Sequence, residues 1–214
     1  MFGFRTEIWG DYACFTRPEL KVERVSYDVI TPSAARGILE AVFWKPAIRY
    51  VIDEIAVCTP IKFDNIRRNE ISNKASYEPI IASEDRAQRA ALVLRNVRYV
   101  VTAHFEMTEK AGTGDNEGKF ADIIRRRLEK GQHFHQPYLG TREFAAKLRL
   151  IPDSEPSPPP IDETRHFGLV FYDMDYVYET NKQGEQVVKE FKPTYFMAEM
   201  VNGILDLRNV EVLR

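Results

Sequence analysis

Residues 132–144, with the sequence QHFHQPYLGTREF, concentrate side chains that could bind or cleave a polyanion. The segment contains two of the four histidines of the chain, His133 and His135, together with Tyr138 and Arg142. Imidazole groups transfer protons near neutral pH, aromatic rings stack on bases, and guanidinium groups bind phosphates. This mixture predicts contact with a nucleic acid, since a solvated loop needs none of these groups.

The two histidines allow three interpretations. They are two residues apart, so in an extended segment they lie on the same face, as a pair of metal ligands would. However, no third ligand lies nearby in the sequence, and we predict neither a metal site nor a cofactor. The pair could instead contact RNA or transfer a proton, or it could be a packed structural pair.

Basic residues predominate between residues 119 and 149, although the net charge of the whole chain is −2. Arg125, Arg126 and Arg127 are predicted to form the outer face of a helix. Such a stripe on a nearly neutral chain suits a polyanion that binds one face of the protein. The simpler alternative is a solvated helix face.

Lys119 and Arg142 are the cations with the most specific positions. Lys119 follows a glycine at a predicted helix N-terminus, where backbone amides already favour phosphate. It is either a phosphate ligand or a solvated lysine. Arg142 follows Gly140 in a loop that returns to the sheet, where it either binds RNA or pairs with Glu143 or another carboxylate.

The composition is that of an ordinary soluble globular protein, with 44% hydrophobic and 29% charged residues. No run of apolar residues approaches the length of about 18 that a membrane span requires. The N-terminal residues do not resemble a signal peptide. Cys14 and Cys58 are too few for a disulfide framework, so we expect reduced thiols and a cytoplasmic protein.

The order of predicted elements is β-α-β-β-α-β, which is the ferredoxin-like α+β pattern of two split βαβ units. The helices are predicted after Thr31-Pro32 and over residues 120–130, and the clearest strand over residues 97–107. We also predict a long loop over residues 64–83 and a short helix over residues 87–94.

Three domain-level segments are predicted. Residues 1–151 form a ferredoxin-like RNA-binding domain, and residues 152–165 form a proline-rich linker. Residues 166–214 form a C-terminal antiparallel β-hairpin subdomain with alternating aromatic residues.

The stretches GDYACFT, FWKP, NEGK and YLGTREF together resemble the fifth family of CRISPR-associated proteins in its type I-C (Dvulg) form, part of the RAMP group. The resemblance covers nearly the whole chain in matching order. It implies a ferredoxin-like domain, a C-terminal β-subdomain and metal-free cleavage of CRISPR repeat RNA. It also implies that the protein stays on the 5′ handle of the guide RNA, beside the other subunits of a surveillance complex and away from any membrane.

The same resemblance implies catalytic tyrosine, lysine and histidine at the positions of Phe43, Lys119 and Phe120. This chain keeps the lysine, but phenylalanine cannot act as an acid or a base. Either cleavage is impaired or other groups have taken over, and His133, His135 and Tyr138 are the candidates. The predicted RNA-binding residues are Arg125, Arg126, Arg127, Arg142, Tyr12 and Lys45, although core packing is the simpler interpretation of Tyr12.

Three functions therefore remain open. The first is an endoribonuclease that processes CRISPR precursor RNA, and the second is a non-cleaving RNA-binding scaffold, which Phe43 and Phe120 favour. The third is a ferredoxin-like module with a protein or small-molecule partner. Charge alone would also permit duplex DNA on the same basic face.

Overall fold

A computed structural model describes residues 3–20, 23–72, 80–181, 184 and 186–214. The main sheet has seven strands, and its central path runs through residues 147–151, 3–13, 86–107, 48–57 and 204–206. Residues 24–25 and 63–71 also pair with the strand of residues 86–107, and residues 165–180 and 186–200 form a second sheet. Neither helix in the described part of the chain is long and apolar enough to cross a membrane.

The two helices are α1 (Pro32–Val42) and α2 (Glu117–Glu129). The strands are β1 (Gly3–Ala13), β2 (Arg24–Val25), β3 (Ile48–Val57), β4 (Phe63–Ile71), β5 (Arg86–Met107), β6 (Lys147–Ile151), β7 (Arg165–Thr180), β8 (Gln186–Met200) and β9 (Ile204–Asp206).

Four neighbouring strands confirm the predicted ferredoxin-like arrangement. Strand β1 is antiparallel to both β5 and β6, and β3 is antiparallel to β5. Helix α1 therefore connects the parallel strands β1 and β3, while α2 connects the parallel strands β5 and β6. Each pair encloses a strand of the other unit, which is the interleaving expected of two split βαβ units.

Both helices begin at strong local signals. The Thr31 hydroxyl accepts a hydrogen bond from the Ala34 amide at 3.2 Å, and Pro32 occupies the first turn of α1. The Asn116 side chain accepts from the Lys119 amide at 2.9 Å, so α2 begins three residues before the predicted residue 120. Ile38 and Leu39 of α1 are buried against the sheet.

Two predictions between the ferredoxin elements are wrong. Residues 64–71 belong to β4 rather than to a loop, and residues 87–94 belong to β5 rather than to a helix. The two segments pair antiparallel from Phe63 opposite Leu94 to Ile71 opposite Arg86. Pairing between strands and burial of Ala91 and Val93 override the helical preference of the alanine-rich segment. Residues 73–79 of the predicted loop lie outside the described residues.

The C-terminal segment contains the predicted hairpin of β7 and β8, and it also returns to the main sheet. Strand β9 pairs with β3, and Val170, Phe196 and Met200 share one core cluster with the ferredoxin elements. The proline-rich segment before it is tied down, since the Ile161 amide donates to the Val57 carbonyl at 2.8 Å. The division of the chain at residue 151 stays a prediction.

Gly140 fixes the loop that joins residue 138 to residue 145. The Cys14 amide donates to the Leu139 carbonyl at 3.0 Å, which holds the loop against the end of β1. Gly140 has φ +86°, and a Cβ atom there would overlap the Cys14 carbonyl group. Glycine is therefore required at this position for both conformation and space.

We expect Gly140→Ala to lower the free energy of unfolding by at least about 2 kcal/mol, because the left-handed conformation and the backbone overlap are both unfavourable. Urea unfolding followed by circular dichroism measures the change. Gly114→Ala is the matched control, since nothing lies within 4 Å of its added Cβ, and it should change stability by less than about 0.5 kcal/mol. Equal stability of the two variants would contradict this account of the loop.

Candidate nucleic-acid interface

The C-terminal end of α1 holds the histidine-containing segment in place. The Ala41 carbonyl accepts hydrogen bonds from the Phe134 amide at 2.8 Å and from the His135 amide at 3.4 Å. The last carbonyls of a helix have no partner within the helix, so an external donor is needed there. The segment around His135 is therefore positioned by its backbone, and its imidazole group stays exposed.

The Arg127 side chain also binds the C-terminal end of α1. Its Nη1 atom donates to the Val42 carbonyl at 2.7 Å, and its guanidinium group lies 5.2 Å from the centre of the Phe43 ring. A cation at a helix C-terminus is favoured by the helix dipole. Arg127 therefore joins α2 to α1. Its guanidinium group already has partners within the protein and is less available to a phosphate.

Phe43 and Phe120 lie inside the protein and contact each other. Their side chains are 5% and 0% exposed, and their ring centres are 5.9 Å apart. The nearby Tyr50 hydroxyl donates to the Phe43 carbonyl at 2.7 Å, and burial raises the pKa of Tyr50 far above its ordinary value. None of these three groups can exchange protons with a substrate at neutral pH.

Lys119 lies beside this aromatic pair at the start of α2. Its amine donates to Asp115 Oδ1 at 3.0 Å and to the Gly114 carbonyl at 3.2 Å, and lies 5.6 Å from the centre of the Phe120 ring. The hydrogen bond from Lys119 lowers the pKa of Asp115, and the charge of Lys45 adds to this effect. Lys119 and Lys45, which are both predicted to contact RNA, therefore lie near one carboxylate.

His135, Tyr138 and Arg142 lie close together. With Gln136 they line a cavity of about 420 Å³. Within the described part of the chain no carboxylate pairs with Arg142, because Glu143 pairs instead with Arg24 and Arg68. The cavity thus combines an imidazole, a phenol and a guanidinium group that has no carboxylate partner among the described residues.

Tyr138 also lines a second cavity, of about 410 Å³. Its other walls come from α1, from Phe15 and Thr16 after β1, from β7 and from Gly140. Arg36 and Glu40 of α1 are its charged lining residues. Sequence reasoning missed both, although their four-residue spacing on a predicted helix would have placed them on one face.

Several predicted residues do not join either cavity. His133 is exposed and lines neither of them, and Lys119, which lies beside Phe120, lines neither of them either. Tyr12 is partly exposed and packs against Phe144 with ring centres 6.0 Å apart.

The expectation of one basic outer face on α2 is wrong. Successive residues of a helix point about 100° apart, so three consecutive arginines cannot share a face. Arg127 folds onto α1, Arg125 donates to the Gly3 carbonyl at 3.5 Å, and Arg126 is exposed. The described residues contain no group of three or more His, Cys, Asp or Glu side chains placed to hold a metal ion.

Comparison with known proteins agrees with the fold and the order of these elements. The sequence model of a family described as CRISPR-associated protein (Cas_Cas5), in its Cas5d form, matches residues 4–208. The chain belongs to the Cas5 family. The resemblance of its sequence motifs to the type I-C form is thereby confirmed.

Two relatives within the Cas5 family align with almost the entire chain. A protein of Mannheimia succiniciproducens is 46% identical over 221 residues, covering 95% of this chain and 93% of the relative. A protein of Thermus thermophilus is 39% identical over 218 residues, covering 97% of this chain and 92% of the relative. Both relatives carry the name CRISPR pre-crRNA endoribonuclease Cas5d.

Two solved structures share the fold. A functionally uncharacterized protein from Streptococcus mutans has a TM-score of 0.69 at 24% identity and covers 97% of this chain and 92% of its own. A structure described as a CRISPR-associated protein has a TM-score of 0.69 at 22% identity, with the same coverage of 97% and 92%. At these identities the likeness supports the Cas5 fold alone.

The neighbouring arginines of α2 should behave differently when removed. We expect Arg127→Ala to lower the free energy of unfolding by about 1–2 kcal/mol, because it removes a charged hydrogen bond and a cation–π contact. Arg126→Ala should change stability by less than about 0.5 kcal/mol. Thermal and urea unfolding of both variants measure this difference, and equal losses would show that Arg127 does not anchor α1.

Proposed function

We propose that this protein is a metal-independent endoribonuclease that cuts CRISPR repeat RNA and then stays bound to the 5′ handle of the product. The observation that carries the proposal is the identity of 46% and 39% with two relatives, both named for pre-crRNA cleavage, over 95% and 97% of the chain. The protein would act in the cytoplasm as a subunit of a type I-C surveillance complex.

The reaction needs no water and no electron transfer. The ribose 2′-oxygen attacks the adjacent phosphorus, the new O–P bond forms, and the bond from phosphorus to the 5′-oxygen breaks. A base removes the 2′-hydroxyl proton, an acid protonates the leaving oxygen, and a cation stabilises the charge on the phosphorane. The products are a 2′,3′-cyclic phosphate and a 5′-hydroxyl.

Lys119 is the best candidate for the cation. Its amine is held by Asp115 at the N-terminus of α2, where free backbone amides also attract phosphate. Lys45 acts on the same carboxylate and would add a second positive charge along the RNA backbone. A phosphate that enters between these amines would replace Asp115 as their partner.

His135, Tyr138 and Arg142 are the candidates for proton transfer and phosphate binding. They line one cavity, and the imidazole of His135 is exposed and of the side-chain type that most often serves as a general acid or base. Arg142 has no carboxylate partner among the described residues, so its guanidinium group can bind a phosphate through two parallel hydrogen bonds. His133 ranks lower because it lines neither cavity.

A non-cleaving RNA-binding scaffold is the second candidate, and the burial of Phe43 and Phe120 favours it. Where the family places a tyrosine and a histidine, this chain has two rings without titratable groups. Each proton-transfer group typically contributes about 10²- to 10⁴-fold to the rate. The same cations would also tolerate duplex DNA, which binds through its phosphates.

The purified protein, incubated with repeat RNA in EDTA, should release a fragment that ends in a 2′,3′-cyclic phosphate. Lys119→Ala should slow single-turnover cleavage about 10²- to 10³-fold, as expected for loss of a charge-stabilising group, and should weaken binding much less. Lys189→Ala is the matched control, because Lys189 also pairs with one carboxylate, Glu179, at 3.5 Å. Binding without cleavage would establish the scaffold. If the protein shows no binding and no cleavage, both functions are excluded.

His135→Gln should reduce the cleavage rate by about 10²-fold or more if the imidazole transfers a proton. Tyr138→Phe tests the phenol in the same way, with a loss of similar size if it is the acid. His133→Gln is the control for imidazole removal in the same segment, and we expect nearly unchanged cleavage. A loss in His133→Gln but not in His135→Gln would reverse this assignment, and RNA affinity of each variant separates binding from chemistry.

A further inference from the structure

The second cavity has no part in the reaction proposed above. It lies along one face of α1 and shares Tyr138 with the cavity that contains His135 and Arg142. Its volume of about 410 Å³ lies within the range of about 300–1,000 Å³ that is usual for ligand sites. An RNA strand that contacts Tyr138 in the first cavity would therefore lie beside a lining residue of the second.

Aromatic residues and glycines shape this cavity. Phe15, Phe171 and Tyr138 supply aromatic walls, and Gly37 and Gly140 line it without side chains. Gly140 is required by its own loop, but a Cβ on Gly37 would meet nothing within 4 Å. Glycine within a helix costs about 1 kcal/mol relative to alanine, and packing does not explain it here. What Gly37 does provide is space within the cavity.

The charged groups in the cavity are held in fixed positions. Arg36 Nη2 donates to Asp173 Oδ1 of β7 at 2.7 Å, and Arg36 Nη1 lies 3.6 Å from Glu40 Oε1. Arg36 is therefore committed chiefly to Asp173, while the Glu40 carboxylate keeps most of its acceptor capacity. Burial raises the pKa of Glu40, and Arg36 opposes this effect. The cavity thus contains one half-buried carboxylate beside aromatic rings and the side chains of Thr16, Thr31 and Ser33.

This chemistry suits a flat ring with two adjacent N–H donors. A carboxylate can accept two parallel hydrogen bonds from such an edge. Among the four RNA bases, guanine alone has two neighbouring donors on its Watson–Crick edge, at N1 and at the 2-amino group. Unstacked bases of single-stranded RNA are commonly held between aromatic side chains in this way.

We propose that the cavity binds one unstacked guanine of the RNA and that Glu40 determines this specificity by accepting hydrogen bonds from N1 and the 2-amino group. The inference rests on the proposed function, because the RNA must first occupy the cavity beside Tyr138. Arg36 acts as a positioning residue that holds Glu40 and α1 against β7.

The test is a guanine scan combined with a substitution of Glu40. Each guanine of the repeat RNA is replaced in turn by inosine, which lacks the 2-amino group, and affinity is measured by fluorescence anisotropy. For the unaltered protein, one position should lose about tenfold in affinity, since a bidentate base contact gives discrimination of this order. In Glu40→Gln the penalty at that position should fall to about twofold or less, because an amide offers one acceptor instead of two.

Two controls separate this effect from weaker RNA pairing and from misfolding. Glu129→Gln makes the same chemical change at an exposed glutamate of α2 and should keep the full penalty. Inosine at positions within the RNA stem should lower the affinity equally for the unaltered protein, Glu40→Gln and Glu129→Gln. Gly37→Leu should fill the cavity and abolish the penalty at the same position, while urea unfolding shows equal or greater stability because leucine favours helix.

The outcomes distinguish this inference from the function on which it rests. If the unaltered protein binds and cuts the RNA but no guanine shows a penalty that depends on Glu40, the guanine site is wrong and the endoribonuclease proposal stands. A uniform loss for every RNA in Glu40→Gln would likewise overturn the site and leave Glu40 with a structural role. If the unaltered protein neither binds nor cuts any repeat RNA, the function itself fails and the guanine site fails with it.

Discussion

The last turn of α1 is the constraint on which the site depends. Its final carbonyls cannot be satisfied within the helix, and a buried carbonyl without a partner is costly. Ala41 is satisfied by the amides of the histidine-containing segment, Val42 by Arg127, and Phe43 by the Tyr50 hydroxyl. The same hydrogen bonds that complete the helix therefore bring α2, β3 and the segment around His135 together. The cavity that contains His135 and Arg142 is a consequence of this helix end.

The hydrogen bonds that complete this helix also reduce the number of basic residues that are available to RNA. A count of charges suggests a continuous cationic stripe, yet Arg127 neutralises a helix end and Arg24 and Arg68 neutralise Glu143. A guanidinium group that already has a protein partner gains less from a phosphate, because that partner must first be displaced. Arg126 and Arg142, which are exposed, are better placed to attract RNA than the total charge of the segment would indicate.

Local signals made the ferredoxin elements of this arrangement predictable from sequence. The caps at Thr31 and Asn116 and the alternation of β5 act between near neighbours, so the ferredoxin elements and the residue types of the site followed from them. Strand β4 escaped prediction because most of its side chains are polar and alternate between exposed and half-buried positions, which hides the hydrophobic alternation typical of a strand. The convergence of His135, Tyr138 and Arg142 depends on the Ala41 carbonyl and on the left-handed Gly140, and the cavity beside Glu40 depends on β7. Such contacts are specified only by the complete fold.

The aromatic pair of Phe43 and Phe120 explains why any proton transfer must occur elsewhere on this surface. A single tyrosine or histidine in place of either ring would bury a polar group, which is costly unless it finds a hydrogen-bond partner. The two phenylalanines instead pack on each other and under Arg127, so their positions are coupled through one apolar contact. Lys119 remains beside this contact, where its amine can serve the proposed reaction, whereas the exposed imidazole that lines a cavity with Tyr138 and Arg142 is that of His135. If Tyr138 contacts the RNA backbone in the proposed reaction, a neighbouring base that unstacks there would lie next to the cavity lined by Glu40, because Tyr138 lines both cavities.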